Sequence, residues 1–195
     1  MNSTLSRTAM QATELRNFEL IHPRIGVGGI ARELERNPLA WAISTHRQVR
    51  VTAQRETESI LLRCGEPSSP DEAVEDAQAV VDGSAAPYFP LTLAWLHATA
   101  DKLGGELARV LFARLPPGGQ VYRHIDHGAY YARRNRYHLV IHSAGGSPMV
   151  CGRERVVMQE GELWRFDNKR PHEASNPSDT PRVHLIFDML MKERS

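Results

Sequence analysis

At 195 residues the chain is long enough for one domain with a substantial core and too short for two. Its 41% hydrophobic and 24% charged residues are ordinary for a globular protein, and a formal net charge of +1 gives no reason to expect nucleic acid or an anionic membrane as partner. Two cysteines, Cys64 and Cys151, make no disulfide framework, so a reduced, cytoplasmic setting is expected. Residues 1–7 lack the apolar run of a leader, and no stretch is apolar over the length of a bilayer span.

In chain order, residues 18–21 read as a short strand before Pro23. A helix is expected over 30–36, opened by Gly28-Gly29 and stopped by Asn37-Pro38. Residues 59–63 read as another strand. From 65 to 90 the composition turns to Pro, Gly and acidic residues, which predicts a long, mobile surface excursion with one short helix, placed as a lid. Leu93, Leu96, Ala100 and Leu103 then recur at helical spacing, and Gly104-Gly105 ends that helix.

Beyond residue 105 the period becomes strand-like. Segments near 107–115, 121–126, 137–142, 149–151, 155–158, 162–166, 172–174 and 182–190 are divided by turn sequences such as Pro116-Pro117-Gly118-Gly119 and Asn176-Pro177-Ser178-Asp179. Short strands at this spacing predict a mainly β fold, a jelly-roll or double-stranded β-helix of cupin type buttressed by the N-terminal helices. The expected organisation is a single domain over 1–195, with residues 1–105 as buttress and 106–190 as catalytic core.

Within that core, His124-Ile125-Asp126 is followed by His172, and Arg182 comes ten residues later. Two imidazoles and one carboxylate make a facial triad that holds iron(II) on one side and leaves positions open for co-substrate and dioxygen. The guanidinium of Arg182 suits a dicarboxylate such as 2-oxoglutarate.

Strand alternation gives a second line of inference. Even positions of 136–142 carry Arg136, His138, Val140 and His142, and those of 182–188 carry Arg182, His184, Ile186 and Asp188; the odd positions are Tyr, Leu, Ile, Val and Phe. Rows rich in His and Arg suit a polar cavity inside the barrel, with the odd residues packed against the helices. Arg133, Arg134 and Arg136 are read either as a solvated basic run or, for Arg134, as a contact for a substrate carboxylate. His127 should point away from the metal, and His142 lines the cavity or is structural.

The segments from Arg114 to Gly119, His124-Ile125-Asp126, Arg136-Tyr137-His138, Gly161 to Asn168, His172, Asn176 and Arg182 to Ile186 together resemble the aspartyl/asparaginyl β-hydroxylase family. The resemblance covers roughly residues 106–189. It implies an iron(II)/2-oxoglutarate-dependent dioxygenase on a double-stranded β-helix. It also implies His124, Asp126 and His172 as iron ligands, Arg182 as the clamp on the far carboxylate of 2-oxoglutarate, and Arg136 and His138 as groups on carboxylates of co-substrate or substrate. The animal enzyme of the family has glycine where this chain has Asp126, so the likeness is to the bacterial branch with a complete triad, whose substrates are free amino acids or peptides. Two other readings stay open: a metallo-cupin enzyme that does not use 2-oxoglutarate, and a non-catalytic barrel that binds a small acid or peptide.

Overall fold

All eight strands expected after residue 105 are present in the computed structural model, which describes residues 15–43, 52–69, 71–73 and 76–192. Residues 1–7, read above for a leader, lie outside the described residues. The N-terminal half supplies β1 (Phe18–His22), α1 (Gly28–Arg36), β2 (Glu58–Glu66), β3 (Ala79–Asp82) and α2 (Pro90–Leu103). Then follow β4 (Gly105–Leu115), β5 (Gln120–His124), a one-turn α3 (Ala129–Ala132), β6 (Arg134–His142), β7 (Pro148–Cys151), β8 (Glu154–Val157), β9 (Leu163–Phe166), β10 (His172–Ser175) and β11 (Arg182–Met191).

From β4 onward the chain passes back and forth between two antiparallel sheets. The larger runs β1-β9-β6-β11-β4-β2-β3 and the smaller β5-β10-β7-β8. This alternation is that of the expected double-stranded β-helix, a mainly β barrel with flanking helices.

The odd residues of β6 and β11 do pack on the helices. Tyr137, Leu139, Ile141, Val183, Leu185 and Phe187 share one buried cluster with Ile30 of α1 and Leu96 of α2. Tyr137 stacks on Phe187 at 5.2 Å, and Trp95 meets Phe187 edge-on at 6.2 Å. Glu33 of α1 ties the helical layer together: its carboxylate accepts from the Leu91 and Thr92 amides at 2.7 and 2.8 Å and from the Thr92 hydroxyl. A carboxylate there satisfies open N–H groups at the start of α2 and opposes its dipole. At the other end Gly104 adopts φ 72°, which a side chain would resist, and its N–H returns to Ala100 and Asp101, so the predicted stop is correctly placed.

The barrel interior divides into two ends. Val140, Met149, Cys151, Met158, Phe166 and Ala174 form an apolar plug. Asp126, Arg136, His138, His172, Arg182, His184 and Asp188 are buried polar groups.

The 65–90 stretch differs from its expectation. Residues Ala79–Asp82 pair with β2 in antiparallel register, Cys64 opposite Val81, and Ala77, Ala85, Ala86 and Phe89 are buried. The helical element there is a 3-10 turn at Ala86–Tyr88. Pro and Gly density marked the turns but hid a four-residue strand, which covers the edge that β2 would otherwise leave open. Among the described residues no helix is long and apolar enough to cross a membrane.

Candidate metal centre

His124 closes β5 and His172 opens β10, and the two are direct cross-strand partners. Their rings lie 4.2 Å apart between centroids. Asp126 follows β5, where its N–H donates to the Asn168 carbonyl at 3.0 Å. One ligand atom from each of His124, Asp126 and His172 lies within 4.8 Å of the others, so the three could hold a metal ion.

Backbone bonds set the presentation of both imidazoles. His124 Nδ1 lies 2.7 Å from the Tyr122 carbonyl and His172 Nδ1 2.9 Å from the Arg170 carbonyl. A carbonyl only accepts, so each Nδ1 carries a proton, and Nε2 is the ring atom that a metal would meet. Burial pushes the His172 pKa down to about 4, against the pull of Asp126, so that ring is neutral at physiological pH.

Asp126 is fixed just as closely. Its Oδ2 accepts from Arg136 Nη1 at 2.6 Å and from Asn168 Nδ2 at 3.0 Å, while Oδ1 faces His124 Nε2 at 3.8 Å. Burial alone would raise its pKa, but the guanidinium of Arg136, with His172 and Asn168, holds it below the ordinary value. One oxygen is thus taken up by donors and the other is left toward the imidazoles.

Arg136 in turn is gripped by Asp188, through Nε at 2.8 Å and Nη2 at 3.0 Å. Burial would weaken its charge, but Asp126 and Asp188 raise its pKa well above the ordinary value. The sequence reading gave Arg136 a carboxylate of co-substrate or substrate as partner. Arg136 lines the cavity, yet its guanidinium is engaged by two carboxylates of the protein itself.

Arg134 was read either as part of a solvated basic run or as a contact for a substrate carboxylate. Its Nη1 donates to Gln78 Oε1 at 2.7 Å and to the Tyr130 carbonyl at 3.1 Å, and its guanidinium lies 4.1 Å from the centre of the Tyr130 ring. It is absent from the cavity wall and anchors the segment before β3.

Arg182 is buried and lines the same cavity as His124, Arg136, His138 and His172. No carboxylate among the described residues pairs with it, and burial alone draws its pKa down to about 10. Its Nη2 lies 3.3 Å from His184 Nδ1, which is also 3.1 Å from His138 Nδ1. A guanidinium only donates, so His184 Nδ1 accepts and His138 Nδ1–H donates to it. Burial, with the nearby Arg182 and His138, holds the His184 pKa well below normal, and the ring is neutral.

His142 is outside the cavity, half exposed and 3.6 Å from Glu160. His127 is exposed and hydrogen-bonds the Ile125 carbonyl, pointing away from the triad as expected.

Sequence reasoning gave no role to Asp188, Asn168, Gln54 or Thr57. Asp188 had a usable signal: it shares the even face of β11 with Arg182 and His184. Asn168 lies on a turn, and Gln54 and Thr57 precede β2, where no period operates.

A family model described as aspartyl/asparaginyl beta-hydroxylase matches residues 76–192, more than half of the chain. The chain belongs to the aspartyl/asparaginyl β-hydroxylase family. It is therefore a hydroxylase-type oxidoreductase. No curated protein matches it by sequence. Among solved structures it is similar to a Pseudomonas putida prolyl-4-hydroxylase, with 18% identity over 90% of this chain and 93% of that one and a TM-score of 0.53. It is also similar to an oxidoreductase of the 2OG-Fe(II) oxygenase family from Burkholderia pseudomallei, with 13% identity over 86% and 92% of the two chains and a TM-score of 0.52. At these identities the likeness is one of fold.

Proposed function

We propose that the chain is an iron(II)/2-oxoglutarate-dependent dioxygenase that hydroxylates an unactivated C–H bond of an amino-acid or peptide side chain. The observation that carries this reading is the His124/Asp126/His172 cluster beside the cavity that Arg182 lines with His124 and His172, Arg182 being a buried cation with no carboxylate partner among the described residues.

The residues fit both groups. Two imidazoles whose Nδ1 atoms are held by backbone carbonyls, that of His172 neutral through burial, and one ionised carboxylate form a donor set suited to iron(II) that leaves coordination positions open. A buried guanidinium without a counter-charge suits a ligand that brings a carboxylate with it. Iron and 2-oxoglutarate, when bound, would activate dioxygen, the oxidant: one oxygen atom would enter succinate as 2-oxoglutarate loses carbon dioxide, and the other would enter the substrate C–H bond as hydroxyl.

The chain's own residues prepare that chemistry. Tyr122 and Arg170 hold the imidazoles through their carbonyls. Arg136 and Asn168 occupy Asp126 Oδ2, so its other oxygen is the one offered to the metal. Arg182 takes the far carboxylate of the co-substrate, and His138 and His184 fix the orientation of that guanidinium. The apolar plug of Val140, Met149, Phe166 and Ala174 keeps water from the inner side of the site.

Since Arg134 and Arg136 are both engaged within the protein, substrate carboxylates are not their partners in this reading. A metallo-cupin that ignores 2-oxoglutarate would have no use for an uncompensated Arg182, and a non-catalytic binder would have none for the three-donor cluster. The deciding experiment supplies iron(II), oxygen and 2-oxoglutarate with a panel of amino acids and short peptides, and measures succinate and hydroxylated product. Succinate whose formation rises with one substrate supports the reading; turnover that proceeds equally without 2-oxoglutarate, or no turnover with any panel member, removes it.

A further inference from the structure

Between β5 and β6 the chain carries Asp126 and then runs along the surface. Of residues 125–133 only Asp126 and Tyr130 are buried. Tyr130, in the one-turn α3, is fully enclosed yet belongs to neither apolar cluster. Instead, the guanidiniums of Arg109 and Arg134 stand 3.6 and 4.1 Å from the centre of its ring, whose electron-rich face attracts such cations. Its hydroxyl accepts from the Arg109 amide at 3.0 Å and donates to Asp188 Oδ2 at 3.2 Å, and its carbonyl accepts from Arg134 Nη1 at 3.1 Å. These contacts tie the loop to β4, β6 and β11. Burial and the charge of Asp188 push the Tyr130 pKa well above the ordinary value, so the hydroxyl keeps the proton it donates.

Hydrogen bonds lead from that hydroxyl to Asp126. Tyr130 meets Asp188, Asp188 grips Arg136 through both of its oxygens, and Arg136 holds Asp126 Oδ2 at 2.6 Å. Arg136 therefore divides one positive charge between two carboxylates, and in a buried network each bond conditions the next. The hydroxyl lies on the same Asp188 oxygen that takes Arg136 Nη2. Without it, Asp188 loses a fixed point in its two-pronged grip, and the guanidinium that aims Asp126 is free to turn. The backbone adds a second link. The Asp126 N–H is tied to the Asn168 carbonyl at 3.0 Å, so the short span from Asp126 to Tyr130 is pinned at both ends. Gly128 turns the chain between them at φ 104°, and a side chain there would meet Asp76 at 2.5 Å.

We propose that Tyr130 is a positioning residue for Asp126: its ring anchors the loop that carries this carboxylate, and its hydroxyl, through Asp188, fixes the Arg136 guanidinium on Oδ2. The proposal rests on the metal-ligand role given to Asp126 above. Tyr130 adds to that role the group that keeps the other carboxylate oxygen aimed toward the imidazoles.

The test titrates the metal-free protein with cobalt(II), a visible-absorbing stand-in for iron(II), against a competing chelator. Tyr130→Phe removes the hydroxyl and keeps the ring. Its cobalt(II) affinity should fall about three- to tenfold, the hydroxyl acting one link further from the metal than Asp188, and its cobalt absorption should move away from that of the wild type. Ile30→Val, in the helical layer, should melt lower yet leave affinity and spectrum unchanged, which separates positioning from loss of stability. In the Asp188→Asn background Tyr130→Phe should cost nothing further, because the hydroxyl acts through that carboxylate. Should the phenylalanine variant not fold, Tyr130→His, whose smaller ring stops short of Asp188, takes its place in each titration. Wild-type affinity and spectrum in the variant, or the same loss with and without the Asp188 carboxylate, overturns the role of Tyr130 and leaves the ligand assignment standing. Cobalt(II) bound equally well by the wild type and by Asp126→Ala, or by neither, overturns both.

Discussion

Replacing Arg182 by methionine should make the free protein more stable while abolishing its response to 2-oxoglutarate. The guanidinium is 7% exposed, has no carboxylate partner among the described residues, and donates only to His184 at 3.3 Å. Burial lowers its pKa to about 10, and at 1.36 kcal/mol per pH unit from the ordinary value this is a penalty of about 3 kcal/mol on the charged folded form. The sign follows from the lowered pKa of a base: the penalty is fully present at neutral pH and is relieved only as pH rises through about 10. Methionine has comparable reach, carries no charge and adds apolar contact beside Ala113, Leu115 and Ile186, which share the cavity. His184 keeps its bond from His138. The expected gain is up to about 3 kcal/mol, or roughly 6–12 °C in Tm for a chain of this size. With iron(II), 2-oxoglutarate at a hundred times its Kd should add about 2.7 kcal/mol to the wild type and nothing to the variant. Urea unfolding of the metal-free proteins, and anaerobic melts with iron(II) and 2-oxoglutarate, measure the two effects. A methionine variant at least 1 kcal/mol less stable than wild type would refute the reasoning, because the guanidinium would then be already compensated in the free fold.

The barrel was legible because strand period and turn residues agree after residue 105, and because the even faces of two strands carry His and Arg in place of ordinary surface residues. That His124, Asp126 and His172 come together was legible from their spacing within strand-like segments. Pairings that depend on register were not. Arg136 meets Asp188 because β6 and β11 align them as cross-strand partners, and nothing in either strand's own sequence specifies that offset. Arg134 shares a face with Arg136 and His138, yet Gln78, from the stretch read as an excursion, and the Tyr130 ring capture it. Alternation reports which way a side chain leaves its strand; it does not report what waits there.

Asp126→Ala and His172→Ala should each abolish iron binding and turnover while leaving circular dichroism unchanged, since neither side chain belongs to the apolar clusters that hold the sheets; iron bound at wild-type affinity by either variant removes that residue from the ligand set. Asp188→Asn keeps the size of the side chain but leaves Arg136 drawing on Asp126 alone, so iron(II) affinity should fall about 10- to 100-fold in a competition titration, and an unchanged affinity would show that Asp188 does not position the ligand. Acid should destabilise the metal-free protein through its buried imidazoles. His172, brought to about 4 by burial, and His184, held well below normal, stay neutral in the fold, while an unfolded histidine takes up a proton near pH 6.5. Their contribution is therefore complete above pH 6.5 and is lost as pH falls from there toward 4, with His172 alone accounting for about 3 kcal/mol. Urea midpoints measured with chelator from pH 7.5 to 4 should drop through that window, and His172→Asn should drop less. A flat profile for the wild type would mean that these rings take up protons at the same pH in the folded and unfolded states, which would remove burial as the cause that keeps them neutral.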